Sequence, residues 1–382
     1  MKKQILNMIR TVAGIIPKKK NLWLFGAWEG QLYADNAKYM FEYVNTIAKG
    51  KIKAVWLTKN KKVLKKVKEA GYDSCYKWSL RGIWLAFRAG VAFETEGDGD
   101  VSSFMKHTMV VQLWHGMGYK AMKWVDDKGN KLFSDEQCDK HRCSKWMSPS
   151  KMYNGILHDL IGIPEENFFL TGYPRNDMMV VKPQNKYFED MKVRYPGCKF
   201  IIYMPTHRNF GKEQNPYASI EQLKKINALL AEQSVVMVYK PHFHEMRHIS
   251  ESEMFSNIVL ARDAEIYGDV YSYLHYFDLL ISDYSSVITD FACSGKPVVF
   301  FPYDLEKYNQ DECGLLSCFF EKKLGPFGYT WEEVLSHVFR LLQDDTWKEE
   351  RIRVLKEYHS FTDGKNRERV YKTVCKLIEQ GE

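Results

Sequence analysis

The sequence predicts an α/β protein made of two doubly wound parallel sheets, and three observations predict it. At ~100–200 residues per domain, 382 residues suggest two domains. Short runs rich in Val, Ile and Phe alternate with helical stretches, the pattern of parallel strands buried on both faces. The series occurs twice, on either side of a polar stretch, Lys182–Tyr187, that contains Pro183 and reads as a linker.

The first 16 residues form a segment of their own. Ile5, Leu6, Met8, Ile9, Val12, Ile15 and Ile16 recur at helical spacing, with lysines at both ends and Pro17 as a stop. Lys2, Lys3, Arg10, Lys18, Lys19 and Lys20, with no acidic residue among residues 1–20, supply six of the formal charge of +7. Such a segment fits an amphipathic helix on an anionic membrane surface, and the alternative is a helix docked on the protein's own core.

In the first series, strands are predicted at Leu22–Trp28, Ile52–Thr58, Val91–Thr95, Thr108–Trp114 and Phe168–Thr171. Helices fall between them near Asn36–Ala48, Lys61–Ala70, Leu80–Arg88 and Ser150–Ile161. The second series has strands at Phe200–Met204, Val235–Tyr239, Ile258–Leu260, Leu279–Ser282 and Val298–Phe301. Its helices are expected near Ser219–Glu232, Tyr271–Tyr276, Tyr284–Cys293 and Thr330–Leu342, with a closing helix at about Lys365–Gln380. The expected boundaries are therefore a membrane-surface helix at 1–20, an N-terminal domain at 21–184 and a C-terminal domain at 185–382 that includes the closing helix. A cleft between the domains would face the strand C-termini, where open α/β sheets bind ligands.

Composition excludes several classes. No apolar run approaches the ~18–20 residues that span a bilayer, and 27% charged residues argue against wholesale disorder. The eight cysteines include no CxxC pair, so a zinc site is not expected and reduced thiols at the cytoplasmic face are. No GxxxxGK[ST] loop and no nucleic-acid motif occurs. The basic run Lys61–Lys68 reads as a solvated helix face, and Asp98-Gly99-Asp100 as a solvated Gly-rich loop rather than a metal site.

Four motifs follow predicted strands. Gln112–Gly118 delivers His115 into a loop with Gly116, where an imidazole suits general-base work and a glycine lets a ligand approach the backbone. Pro205-Thr206-His207-Arg208 offers a guanidinium and a hydroxyl, a phosphate clamp unless Arg208 is simply ion-paired. Lys240-Pro241-His242 sets two groups astride a rigid proline. Asp278–Asp290 runs from an apolar strand through Ser285 and Ser286 into a helix, an anion site at a helix start unless Asp283 or Ser285 only caps it.

Taken in register, these motifs resemble the CDP-glycerol:glycerophosphate glycerophosphotransferase family of teichoic acid synthesis. Phe25–Trp28, Asp35–Tyr39, Gly172–Asp177, Gly295–Val298 and Tyr303–Glu306 carry the same resemblance. It implies a GT-B-like architecture, two Rossmann-like domains facing a central cleft, with neither cofactor nor metal. It also implies CDP-glycerol or CDP-ribitol as donor and an undecaprenyl-diphosphate-linked acceptor at the inner membrane face, most like the members that prime with a single addition. This chain departs at Met117-Gly118-Tyr119, where the family reads Thr-Pro-Leu, at His207, an aromatic in the family, and at Lys240, where the family has arginine. The expected roles are His115 as base and His242 on the pyrophosphate or the leaving oxygen. Arg175, Arg208 and Lys240 would face the phosphates, with Thr206, Ser285 and Ser286 fixing them and Gly116 and Asp290 against the substrates. A polyol-phosphate polymerase and a GT-B nucleotide-sugar glycosyltransferase are the alternative enzymes, and a non-catalytic membrane scaffold is the alternative of another class.

Overall fold

The computed structural model describes residues 2–97, 99–121, 141–206, 208, 220–240, 255–261, 269–311 and 314–381. The chain divides into two compact units, Met1–His115 with Trp124–Asp177 and Ser360–Glu382, and Gly116–Lys123 with Met178–His359.

The first unit is built on β1 (Lys19–Phe25), β2 (Lys53–Thr58), β3 (Ser74–Tyr76), β4 (Ala89–Glu94), β5 (Met109–Gln112), β6 (Lys145–Ser148) and β7 (Phe168–Leu170). They pair in the order β3-β2-β1-β4-β5-β6-β7, every pair parallel. Side chains alternate along a strand, so β1 feeds two cores. Trp23 and Phe25 pack with Phe41, Trp56 and Phe93 on one face, while Leu22 and Leu24 pack with Val55, Leu57 and Leu85 on the other. Helices Lys61–Glu69, Leu80–Arg88 and Lys151–Ile161 start where Asn60, Ser79 and Ser150 accept a first-turn N–H. Strands β3 and β6, Ser-Cys-Tyr and Lys-Trp-Met-Ser, lack the Val, Ile and Phe runs that mark the others and were not expected from the sequence.

The second unit carries β8 (Lys199–Met204), β9 (Val235–Tyr239), β10 (Ile258–Leu260), β11 (Leu279–Ser282) and β12 (Val298–Phe300), parallel in the order β10-β9-β8-β11-β12. Both sheets reverse direction of winding next to their first strand, at β1/β4 and at β8/β11. Open α/β sheets bind ligands outside the carboxyl ends of the strands at such reversals. The expected helix at Tyr271–Tyr276 is instead two short 3-10 turns, Val270–Ser272 and Leu274–Tyr276. That expected at Tyr284–Cys293 begins only at Val287, because Asp283 and Tyr284 are tied elsewhere. Helix Lys186–Arg194 starts inside the expected linker, capped by Asn185, and the helix Lys348–Tyr358 was not anticipated.

The closing helix, Asn366–Gln380, was grouped with the second domain by sequence, and the structure packs it on the first unit. Val370 and Val374 join the core of Trp23, whose ring lies 5.8 Å from Tyr371. Its start is capped from far away, as Asp177 accepts the N–H groups of Asn366 (2.8 Å) and Arg367 (3.0 Å) and the Arg367 Nε–H (2.9 Å).

The leading helix spans Lys2–Ile15. Ala13 is buried, Arg10 Nε donates to the Ser103 carbonyl at 2.8 Å, and Gly14 faces Lys106 and His107. Met8, Val12 and Ile15, spaced i, i+4 and i+7, remain 64%, 46% and 80% exposed.

Candidate active site

In the first unit, β5 runs out at Gln112, and Leu113 and Trp114 carry the chain to His115. Trp114 sits at φ 53°, a strained value for a bulky residue, and Gly116 follows at φ 120°. The turn is held by Asn36, whose Nδ2 donates to the carbonyls of Leu113 (3.2 Å) and Trp114 (2.8 Å) while Oδ1 accepts the Arg175 N–H at 3.0 Å. The His115 ring stacks on Trp114 with centroids 4.3 Å apart. Its Nδ1 lies 3.2 Å from the Thr95 carbonyl oxygen. A carbonyl only accepts, so Nδ1 carries the proton and Nε2 keeps a lone pair. Burial pushes the His115 pKa below its ordinary value, against the opposing pull of the Asp35 carboxylate. The group is thus a neutral, oriented base.

What fixes the Thr95 carbonyl is Asp100. Its Oδ2 accepts the Thr95 N–H (2.6 Å), the Thr95 hydroxyl (3.1 Å) and the Glu96 N–H (2.8 Å), and Oδ1 accepts the Glu29 N–H at 2.7 Å. Asp100 is fully buried, so the expected solvated loop is an internal brace at this position; Asp98 lies outside the described residues. The close of β1 against that brace explains Gly26, where a Cβ would stand 2.1 Å from the Asp100 carbonyl oxygen. Gly26→Ala must displace backbone, and it is expected to cost ~1–3 kcal/mol of stability. Thermal unfolding of the variant checks this. Nearby Glu96 is raised to about 7 by burial, with the carboxylates of Asp100, Asp35 and Glu29 adding to it.

Arg175, expected to face phosphates, is buried and donates from Nη1 to Asp35 Oδ1 at 2.7 Å. Asp35 also accepts its neighbour Asn36's N–H (2.7 Å) and the Trp28 indole N–H (3.2 Å). The pair locks the start of helix Asp35–Ile47 to the turn Pro174–Asp177, whose Arg175 N–H also meets Asn36 beneath the His115 loop.

In the second unit, the turn after β8 meets the turn after β11. Asp283 Oδ1 accepts both the N–H (2.9 Å) and the hydroxyl (2.6 Å) of Thr206. Arg208 donates from Nη2 to Asp283 Oδ2 (2.7 Å), from Nε to Asp304 Oδ2 (2.7 Å) and from Nη1 to the Thr206 carbonyl (2.5 Å). Its guanidinium faces the rings of Tyr284, Tyr303 and Tyr308 at 4.8–5.2 Å. The side chain is 5% exposed, between carboxylates that are 0% and 2% exposed. Two buried carboxylates thus share one guanidinium. Among the described residues, Arg208 and Thr206, expected to clamp phosphate, brace the two turns against each other.

Ser285 and Ser286 stand half-buried before the six-residue helix Val287–Ala292. Ser286 makes no side-chain cap, and Ser285 Oγ accepts only a long bond from the Val287 N–H, at 3.4 Å. Asp290 is enclosed, and its Oδ2 accepts the Tyr271 hydroxyl at 2.7 Å. Lys240 leaves β9 half-buried with its N–H on the Tyr203 carbonyl (2.9 Å), and burial lowers its pKa. His207 and His242 lie outside the described residues. Among the described residues, no group of three or more His, Cys, Asp or Glu side chains is placed to hold a metal ion.

Sequence reading singled out the strand ends and missed what braces them. Asp35 and Asp304 were quoted only as parts of motifs, Asp283 only as a cap, and Glu96 not as a titrating group. Their signal is a carboxylate placed just past a strand or at a helix start, a position too common to mark a site without its partner.

A family model described as CDP-Glycerol:Poly(glycerophosphate) glycerophosphotransferase matches residues 8–376. A teichoic acid glycerol-phosphate transferase of Staphylococcus aureus is 25% identical over 98% of this chain and 99% of its own. A teichoic acid poly(glycerol phosphate) polymerase of Bacillus spizizenii is 24% identical over 88% of each chain. Among solved structures, the wall teichoic acid polymerase TagF, in a variant soaked with CDPG, superposes with a TM-score of 0.80 at 21% identity, over 98% of this chain and 94% of that one. That likeness is one of fold, and it is the GT-B-like pair of α/β domains expected from the sequence.

Proposed function

Because the chain belongs to the CDP-glycerol:poly(glycerophosphate) glycerophosphotransferase family, we propose that it moves glycerol phosphate from CDP-glycerol to an undecaprenyl-diphosphate-linked disaccharide, releasing CMP. The observation that carries the reading is His115, a neutral imidazole with Nδ1–H on a fixed carbonyl and a lone pair on Nε2. Nε2 takes the proton of the acceptor hydroxyl, whose oxygen attacks the β-phosphorus of the donor. The bond from that phosphorus to the bridging oxygen breaks, and CMP leaves with it. Gly116, Ser285 and Ser286 supply close backbone and hydroxyl contacts, Lys240 and His242 the cationic and leaving-group contacts. Asp35, Arg175, Thr206, Asp283, Arg208 and Asp290 hold the frame. Positioning and electrostatics supply most of the rate in such chemistry.

CMP release from CDP-glycerol, with a lipid-diphosphate disaccharide present or absent, tests this reading. Acceptor-dependent release with one glycerol phosphate per lipid is the expected result. Long products would replace priming by polymerisation, as in the Bacillus relative's name. Turnover of CDP-ribitol alone would change the donor, and turnover of a UDP-sugar alone would overturn the reaction.

A peripheral place on an anionic membrane belongs to the same proposal. Within the first unit, the exposed stripe of Met8, Val12 and Ile15 lies on a helix that touches helix Leu80–Arg88, itself exposing Leu80 and Trp84. No described helix is long and apolar enough to cross a membrane. Val12→Glu with Ile15→Glu should cut co-sedimentation with anionic vesicles severalfold at unchanged thermal stability. Unaltered sedimentation would remove the stripe from membrane contact.

A further inference from the structure

One cavity of the first unit lies away from the His115 loop. It has a volume of about 750 Å³ and opens at the amino-terminal edge of the seven-stranded sheet, where β1, β4, β5 and β6 begin. His115 follows the carboxyl end of β5, so the two places sit at opposite ends of the same sheet.

The lining is skewed in charge. Among the described residues it includes Arg10, Lys18, Lys20, Lys106 and Lys145, and no Asp or Glu. The whole chain, by contrast, has 48 acidic residues against 55 lysines and arginines. Two of the cations are held in place by carbonyl oxygens: Lys18 Nζ on Ala13 at 3.2 Å and Phe87 at 2.5 Å, and Lys20 Nζ on Ile378 at 3.1 Å. A carbonyl fixes an ammonium or guanidinium without neutralising it. Like charges gathered around a cavity repel one another, and a multiply charged oxyanion bridging them removes that cost. The volume falls within the ~300–1,000 Å³ of small-molecule sites.

We propose that this cavity is a second anion site, separate from the transfer site, that takes a phosphate ester. An anionic phospholipid headgroup and a soluble phosphate share that chemistry. The inference rests on this cavity alone and stands whether or not the transfer reading does.

Cys143 lines the same cavity with an exposed free thiol, which gives a local readout. The full chain would be alkylated with iodoacetamide and the Cys143 peptide quantified by mass spectrometry. The arms are buffer, inorganic phosphate, phosphatidylcholine vesicles and vesicles containing phosphatidylglycerol. Occupancy should slow modification of Cys143 at least fivefold relative to Cys198, which does not line the cavity. Slowing by phosphatidylglycerol vesicles but not by phosphate assigns a headgroup as the occupant, and slowing by phosphate assigns a soluble ester. Lys106→Gln with Lys145→Gln should abolish the protection, and Lys106→Arg with Lys145→Arg should keep it, at equal thermal stability and unchanged CMP release. Equal protection by phosphatidylcholine vesicles, protection that survives the glutamine pair, or no protection in any arm would overturn the proposal.

Discussion

Replacing His115 with alanine is expected to lower turnover by ~10²–10⁴, the range for loss of a positioned general base, with the fold intact. The ring packs on Trp114 and makes one hydrogen bond, to Thr95, so its removal leaves the Asp100 brace standing. A variant that keeps most of the wild-type turnover would put the base elsewhere. The pH dependence gives a second check. The base works only when neutral, and it gains its proton as pH falls through its folded pKa. Burial lowers that pKa, so the acid limb of kcat/KM should lie below the ordinary histidine value of about 6.5. Glu96, raised to about 7, would place a limb higher if its ionised form were required. Glu96→Gln should therefore leave the acid limb where it is, and a limb that moves with this variant would reassign it. Stability follows the same sign: the unfolded chain binds the His115 proton more readily, so stability associated with this group falls as pH drops below about 6.5.

Arg208→Ala is expected to have the largest effect on stability, ~3–5 kcal/mol, as when one partner of a buried ion pair is removed. Two enclosed carboxylates, Asp283 and Asp304, would face each other without a cation, and three tyrosine rings would lose the guanidinium between them. At ~2–4 °C per kcal/mol for a domain of this size, Tm should fall by roughly 10 °C. Arg208→Lys should recover only part of it, because a single ammonium does not reproduce the fork that meets both carboxylates and the Thr206 carbonyl. Unchanged unfolding with a raised KM for the donor would restore the phosphate-clamp role.

The strands were legible because burial on both faces demands apolar runs. Leu24 and Phe25, or Ile201 and Ile202, report their environment through their own chemistry. The place of His115 was legible for a related reason, since the apolar run before it marks the strand whose carboxyl end it follows. The short strand Ser74–Tyr76 was not, as Ser-Cys-Tyr carries none of the Val, Ile or Phe that mark the other strands. Arg208 shows the limit at the site. Its type fits a phosphate and a carboxylate equally well, and only the fold brings Asp283 and Asp304, 75 and 96 residues on, to its guanidinium.

The sequence by itself therefore determined the architecture and the family, both of them properties of residue type and local order. The tertiary structure decided which charges are spent inside the protein. It turned Arg175, Arg208 and Asp290 inward, made Asp100 a brace, and returned the last helix to the first sheet through Asp177. The physical reason is that a buried charge is stable only against its partner. Which partner that is depends on chain closure over tens to hundreds of residues, and local sequence carries no record of it.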